Sequence, residues 1–221
     1  MNVGGDHSMG SATIHGALRM YPDLKVIWVD AHADFVDPDT KPNQLSQNYH
    51  GMPVSHISGI ATLPNFNWMK HKLPLKNIVY IGIRDIEPNE RVNLKRHGVK
   101  CFTMDHVDKY GIGKIMDMAI EYLDPHDQYP FHISFDVDGA DPYLVNQTGT
   151  LFRDGLNHRE SCHIVRRLAN ERKVVSMDVA EINGEVGDSS ARPTFRDEEH
   201  LDKKISETVG FGVDLIHSLC A

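Results

Sequence analysis

Five short apolar runs alternate with stretches of helical periodicity, and this alternation constrains the fold more than any other feature of the chain. The runs are rich in β-branched and aromatic residues and end in polar ones, which favours strands over helices. A steady alternation of strand and helix predicts an α/β protein with three α-β-α layers and a mainly parallel central sheet. The predicted strands cover residues 25–30, 77–82, 99–102, 131–135 and 173–178, and the predicted helices cover 8–20, 89–97, 112–122, 158–170 and 198–218.

The length of 221 residues suits a single domain, 1–221, with a core of its own. The sequence contains no internal repeat, low-complexity tract or linker that would divide it. Two polar stretches interrupted by proline, 35–49 and 188–197, are interpreted as long loops, and the first follows a predicted strand directly.

Charge and cysteine content exclude several classes of protein. The chain has 31 acidic and 23 basic residues, a formal net charge of −8, which argues against a nucleic-acid binder and suits a cationic ligand. No apolar run approaches the roughly 18 residues of a membrane span. The three cysteines show neither zinc spacing nor a disulfide framework, so we expect a reducing compartment: the cytoplasm, with mitochondria as the alternative.

Three short motifs contain the six Asp and His side chains that we expect to bind metal ions. They are Gly-Gly-Asp-His-Ser at 4–8, Asp-Ala-His-Ala-Asp at 30–34 and Ser-Phe-Asp-Val-Asp-Gly-Ala-Asp-Pro at 134–142. The second and third follow predicted strands, and ligands bind at the carboxyl ends of strands in parallel sheets. The expected metal ligands are His7, Asp30, His32, Asp34, Asp136 and Asp138.

Alternation of side chains along an extended segment would let these groups converge. If strand geometry continues, Asp30, His32 and Asp34 point the same way, as do Asp136 and Asp138. Carboxylates with a few imidazoles and no thiolate suit Mn²⁺ or a similar hard divalent ion. Four adjacent carboxylates would repel one another without cations. The motifs together therefore predict a two-metal hydrolytic centre.

Each motif taken alone has a simpler interpretation. A single Gly-Gly-Asp-His-Ser is usually a turn with a helix N-cap, for which Ser8 is well placed. Asp6 and Asp141 are interpreted as turn carboxylates or as groups behind the ligands. The other histidines considered are interpreted as surface or internally satisfied side chains: His15, His56, His71, His97, His106, His126, His158, His163, His200 and His217.

The three motifs resemble the metal signatures of the ureohydrolase family, and of arginases in particular. Further segments in the same order are also similar to that family: 50–53, 81–85, 111–114, 148–150 and 155–160. The resemblance implies hydrolysis of the guanidinium group of L-arginine to L-ornithine and urea, a reaction of arginine metabolism and the urea cycle. It also implies two Mn²⁺ per subunit and a homotrimer.

The resemblance implies a role for each matching residue. One Mn²⁺ would be held by His7, Asp30, Asp34 and Asp136, and the other by His32, Asp30, Asp136 and Asp138. Asp34 would pass a proton to the leaving amine, and His50 would shuttle protons. Glu181 would pair with the substrate guanidinium, since a carboxylate matches that planar group. The other implied substrate contacts are Ser46, Asn48, Asp85, Glu87, Glu90 and Thr150.

Three departures from the family pattern keep alternatives open. Glu87 stands where Asp is usual, Val36 stands where an Asn usually contacts the substrate carboxylate, and the 35–49 loop is longer. The stretch that precedes Gly-Gly-Asp-His-Ser in arginases is missing, so we expect a chain that lacks N-terminal strands of the sheet. The alternatives are an agmatinase-type ureohydrolase and a non-catalytic arginase-like fragment. A single-zinc deacetylase of related fold is disfavoured by the paired Asp-rich motifs and Glu181.

Overall fold

A parallel sheet sandwiched between helices forms the molecule, as a computed structural model of the chain describes it for residues 1–37, 48–61, 66–184 and 198–220. The strand order is β1-β6-β5-β2-β3-β4, and every neighbouring pair is parallel. This confirms the predicted fold class. The strands are β1 Asn2–Val3, β2 Lys25–Val29, β3 Ile78–Ile83, β4 Lys100–Thr103, β5 Phe131–Asp136 and β6 Val174–Ala180.

The helices match most of the predicted segments to within about one or two residues, the usual uncertainty of helix ends. Two short helices, α2 and α4, were not predicted. The described helices are α1 Met9–Met20, α2 Pro53–Ser58, α3 Pro88–Arg96, α4 Met104–Tyr110, α5 Ile112–Leu123, α6 His158–Glu171 and α7 Glu198–Cys220. Most of the predicted 35–49 loop and all of 188–197 lie outside the described residues.

Two apolar cores fill the space on either side of the sheet. Successive residues of β2 alternate between them: Ile27 and Val29 pack with α5, α6 and α7, whereas Val26 and Trp28 pack with α1 and α2. Because side chains of a strand point to opposite faces in turn, a strand buried on both sides must be apolar throughout, as β2 and β3 nearly are.

The first turn of α1 differs in part from its prediction. Ser8 precedes the helix but makes no side-chain cap; its hydroxyl instead donates to Asp6, which also accepts the Ser8 amide. Ser8 therefore occupies the N-cap position, as expected, without a side-chain cap, and Asp6 is an exposed turn carboxylate as expected. Asp141 also closes a turn, by accepting the amides of Tyr143 and Gly155.

Candidate metal centre

The ends of two neighbouring central strands bring the Asp-rich motifs together. β2 pairs with β5 in parallel, and Val29 lies opposite Phe135. Asp30 directly follows β2, and Asp136 is the last residue of β5. The carboxyl ends of parallel strands share one edge of the sheet, so both motifs start from adjacent points, as predicted.

Turns, and not a continuation of the strands, orient the side chains of Asp34 and Asp138. β2 ends at Val29, and Asp34 has a φ of 49°, a left-handed conformation uncommon for a residue with a side chain. Asp138 lies in the 3-10 turn Val137–Gly139. The alternation argument was therefore wrong in its mechanism, although the convergence that it predicted is present. Gly139 permits the approach, since a Cβ there would lie 3.1 Å from the Asp30 nitrogen.

The first set of ligands, here called the inner ligand group, consists of His7, Asp34 and Asp136. His7 Nδ1 lies 3.2 Å from Asp34 Oδ2 and 3.1 Å from Asp136 Oδ2. The same nitrogen is 3.1 Å from Asp30 Oδ2. All of these side chains are buried.

The second set, here called the outer ligand group, consists of His32 and Asp138. His32 Nδ1 lies 3.1 Å from Asp138 Oδ2 and 3.4 Å from Asp30 Oδ1. Asp30 therefore touches both groups, one with each oxygen. The His32 side chain is 22% exposed, against 1% for His7, so the outer ligand group faces the open side of the centre.

Burial and crowding raise the pKa values of three of the carboxyl groups, and the neighbouring carboxylates also raise that of His32. Burial and the neighbouring charge of Asp30 raise the pKa of Asp34 and Asp138; for Asp136, burial and the charges of Asp138 and Asp30 do the same. Burial lowers the pKa of His32, but Asp138 and Asp30 outweigh it and raise that pKa to about 12. Crowded carboxylates that resist ionisation and draw protons onto nearby imidazoles are a donor set that divalent cations fit.

Contacts behind the inner ligand group hold its imidazole in one orientation. His7 Nε2 lies 2.8 Å from Ser134 Oγ, which leaves Nδ1 directed at the carboxylates. The ring stacks on Trp28 with centroids 4.1 Å apart, and Trp28 Nε1 donates to Asp30 at 2.9 Å. Such contacts fix the tautomer and the direction of a metal-binding histidine.

Contacts behind the outer ligand group include a more exposed side chain. His32 Nε2 lies 3.5 Å from Asp85 Oδ2, whose side chain is 51% exposed. Thr150 Oγ1 donates to Asp138 Oδ2 at 3.3 Å. The Ala31 amide donates to the other oxygen of Asp138 at 3.2 Å.

Glu181 connects the N-terminal motif to the end of β6. Its Oε1 accepts the His7 amide at 2.7 Å, and its own amide donates to the Gly5 carbonyl. It has a φ of 64°, the same uncommon conformation as Asp34. Strained backbone at two acidic residues of one site is typical of functional positions.

The centre forms the floor of an acidic cavity of about 290 Å³. His7 and Asp30 lie beneath this floor, and Ser46 lies outside the described residues. All other predicted site residues line the cavity, together with Val36 and Gly51: His32, Asp34, Asn48, His50, Asp85, Glu87, Glu90, Asp136, Asp138, Thr150 and Glu181.

Two rim residues differ in how their carboxylates are engaged. Both oxygens of Glu90 accept backbone amides, from Phe35 and from Glu87, and burial raises its pKa to about 7. Glu87 Oε2 is buried without a hydrogen-bond partner among the described residues. Glu87 is thus the rim carboxylate that has an oxygen to offer a ligand.

A buried polar pair behind the centre was missed in the sequence. His132 Nε2 lies 3.2 Å from Asp178 Oδ2, and both side chains are fully buried. Asp178 also accepts from Asn2 at 2.8 Å and from Thr13. The signal was present: His132, Ser134 and Asp136 alternate along one face of β5.

The chain is similar to proteins of one known family over most of its length. The model of the arginase family matches residues 1–213. The arginase of Glaciozyma antarctica is 44% identical over 192 residues, which cover 85% of this chain and 55% of that protein. The chain spans less than two thirds of the length of the curated relatives that head the comparison.

Solved structures give the same result for the fold. The crystal structure of the Glaciozyma antarctica arginase has a TM-score of 0.79 at 39% identity, covering 99% of this chain and 68% of that one. The Entamoeba histolytica arginase in complex with L-ornithine has a TM-score of 0.82 at 29% identity, covering all of this chain and 68% of that one. Among the described helices, none is long and apolar enough to cross a membrane.

Proposed function

Because this chain belongs to the arginase family, we propose that it hydrolyses L-arginine to L-ornithine and urea with two Mn²⁺ ions. The observation that carries the proposal is the convergence of six buried or half-buried ligand side chains on the floor of an acidic cavity. Water adds to the guanidinium carbon, the bond from that carbon to the side-chain nitrogen breaks, and both protons of that water end on the leaving nitrogen, which departs as the ammonium group of L-ornithine.

The two ligand groups divide the ions between them. The inner ligand group with Asp30 would hold one ion, and the outer ligand group with Asp30 and Asp136 would hold the other. When bound, such a pair of ions supplies the Lewis acidity that lowers the pKa of water towards neutrality.

The remaining residues position the substrate and move protons. Glu181 lines the cavity, and burial raises the pKa of its carboxyl, so a guanidinium would restore its charge and form a two-point contact. Asp34 would carry the proton to the leaving amine. His50, on the 3-10 turn Tyr49–Gly51 at the cavity wall, would exchange protons with solvent.

The cavity rim suits the far end of an amino acid with a positive charge. Oε2 of Glu87, which is buried and has no hydrogen-bond partner among the described residues, is an acceptor for an α-ammonium group, and Asp85 adds negative charge beside it. Asn48 lines the same wall, next in sequence to the segment that contains Ser46. These groups favour arginine over a ligand without the amino-acid end.

Agmatine is the second candidate substrate because of Val36. This residue lines the cavity and is 3% exposed, so it presents an apolar surface where a substrate carboxylate would need a donor. A ligand that lacks the α-carboxylate would not lose a contact there.

We propose a homotrimer in a reducing compartment as the working form. The described cysteines, Cys101, Cys162 and Cys220, are all unpaired, which suits the cytoplasm. Light scattering on the purified protein gives the subunit number, and a monomer at micromolar concentration would contradict the trimer.

Urea release by the recombinant chain tests the proposed reaction. The chain is loaded with Mn²⁺, its cooperative thermal unfolding is verified, and urea is measured with arginine and with agmatine. We expect urea from arginine, none after Asp136→Ala, and full activity after Asp117→Ala, which removes an exposed carboxylate on α5. A folded, Mn²⁺-loaded chain that releases urea from neither substrate leaves the non-catalytic alternative.

A further inference from the structure

Arg84, the first residue after β3, donates to a ring of backbone carbonyls under the outer ligand group. Its side chain is largely buried. Nη1 donates to Gly82 at 3.1 Å, and Nη2 donates to Phe152 at 2.7 Å. The remaining acceptors are the carbonyls of Asp138 at 2.7 Å, Gly139 at 3.2 Å, Ala140 at 3.2 Å and Arg153 at 2.9 Å.

The segments joined in this way surround the outer ligand group. Asp138 itself is one of its two members. The segment that contains Phe152 begins just after Thr150, which donates to Asp138 Oδ2. On the backbone side, the amides of Arg84 and Asp85 both donate to Ala31, the residue before His32.

Two of the segments that Arg84 joins, 138–141 and 152–156, also pack closely against each other, which leaves the Arg84 side chain little freedom. The Asp141 amide donates to Leu156 at 3.0 Å, and the Leu156 amide donates to Gly139 at 3.1 Å. A Cβ on Gly155 would lie 2.5 Å from the carbonyl carbon of Ala140, so glycine is required there. Arg84 therefore lies against two segments that are already hydrogen-bonded to each other.

A guanidinium is suited to this task and an ammonium is not. Arginine presents five N–H donors in one rigid plane, whereas lysine is a point charge with three rotatable donors at the end of a flexible stem. Lysine at this position keeps the charge but cannot satisfy carbonyls from three segments at once. The carbonyls of the buried 138–140 turn that it leaves unpaired would seek other partners, and the turn would shift.

The geometry points to Arg84 as a positioning residue that sets the affinity for one of the two ions, the ion held by His32 and Asp138. It acts through the backbone of the 138–140 turn and of Ala31, without touching ion or substrate. This inference rests on the proposed function, since it presupposes that the centre binds two ions.

Calorimetric titration of the metal-free chain with MnCl₂ tests it, comparing the unaltered chain, Arg84→Lys and Arg172→Lys. Arg172 is a matched control because it is also largely buried and also donates to a backbone carbonyl, that of Glu171. It precedes β6 and so lies at the opposite edge of the sheet from the centre. We expect Arg84→Lys to weaken one of two binding steps by about 10- to 100-fold, the usual effect of losing a contact behind a ligand.

Each outcome of the titration decides one point. Weakening of one step by Arg84→Lys, with both steps kept in Arg172→Lys, supports the inference, because a purely structural role would not separate the two ions. Two unchanged steps in Arg84→Lys overturn the role of Arg84 and leave the proposed function standing. No ion binding by the unaltered chain overturns both.

A second variant tests the inference if Arg84→Lys does not fold. If Arg84→Lys lacks a cooperative thermal transition, Arg84→Gln is titrated in its place, since its amide keeps two donors in a plane. If neither variant folds while Arg172→Lys does, Arg84 is a requirement of the fold and the inference is overturned.

Discussion

The inner and outer ligand groups have similar ligand types but different surroundings. His7 is 1% exposed, stacks on Trp28 and contacts Ser134. His32 is 22% exposed, and its far nitrogen faces Asp85 across 3.5 Å. The inner ligand group is therefore a closed site fixed by packing, whereas the outer ligand group is an open site fixed by backbone contacts. From this difference we expect ion retention to depend mainly on the inner group and substrate access on the outer one, if the centre binds the proposed ions.

The distinction between the two ligand groups should not hold for Asp30, because this residue contacts both of them. Asp30→Asn keeps the shape of the side chain but removes the charge that faces His7 and His32. We expect urea release to fall well beyond the about 100-fold that follows loss of an outer contact. Both Mn²⁺ binding steps should weaken together, as calorimetric titration would show. Loss of one step alone would mean that Asp30 serves a single ion.

Substitution of either histidine should lower the free energy of unfolding, by a larger amount in the inner ligand group than in the outer one. In the metal-free chain, His7→Asn leaves three buried carboxylates without their shared imidazole, at a cost of about 3–5 kcal/mol. His32→Asn removes a partner that is 22% exposed, so water replaces part of the lost contact and the cost should be smaller. Denaturant unfolding with a chelator present measures both. Equal losses would contradict the distinction between a closed and an open site.

The smallest expected effect is the pH dependence of the metal-free chain. The pKa values of Asp34, Asp136 and Asp138 are raised in the folded state, so the stability that their protons contribute is complete below about 4 and is lost as pH rises through the raised values. The raised pKa of His32 acts in the same direction at higher pH. The melting temperature with a chelator should therefore fall between pH 5 and pH 8.

Two variants assign this pH dependence to a ligand group. Asp34→Asn removes a titrating carboxyl from the inner group, and Asp138→Asn removes one from the outer group. The pKa of each of these carboxyls is raised, so each variant should flatten the dependence, and the larger change identifies the group that dominates it. Saturating Mn²⁺ should reverse it, because metal binding requires deprotonated ligands.

The sequence predicted the parts of the structure that depend on residue composition and on the periodicity of apolar residues. The apolar runs around Val29 and Phe135 identified the two central strands, and the Asp and His residues after them identified the centre. The short helices α2 and α4 were missed because six or seven residues contain too little periodicity to detect.

The rest of the site depends on backbone geometry, which leaves little trace in residue types. The left-handed conformation of Asp34 and the 3-10 turn of Asp138 direct these ligands, and neither residue type requires such a conformation. Arg84 could not be assigned because its partners are carbonyls, which every residue has. A side chain whose partners are backbone atoms becomes identifiable only when the loops are in place.

The stacking of Trp28 on His7 has an optical consequence. The indole is fully buried, lies 4.1 Å from the imidazole and donates to Asp30, so the charge of the centre acts directly on its excited state. The second tryptophan of the chain, Trp68, is 48% exposed and emits from a wetter environment. The emission of Trp28, at the shorter wavelengths, should therefore change when metal ions bind at the centre. The emission of Trp68, at the longer wavelengths, serves as an internal reference.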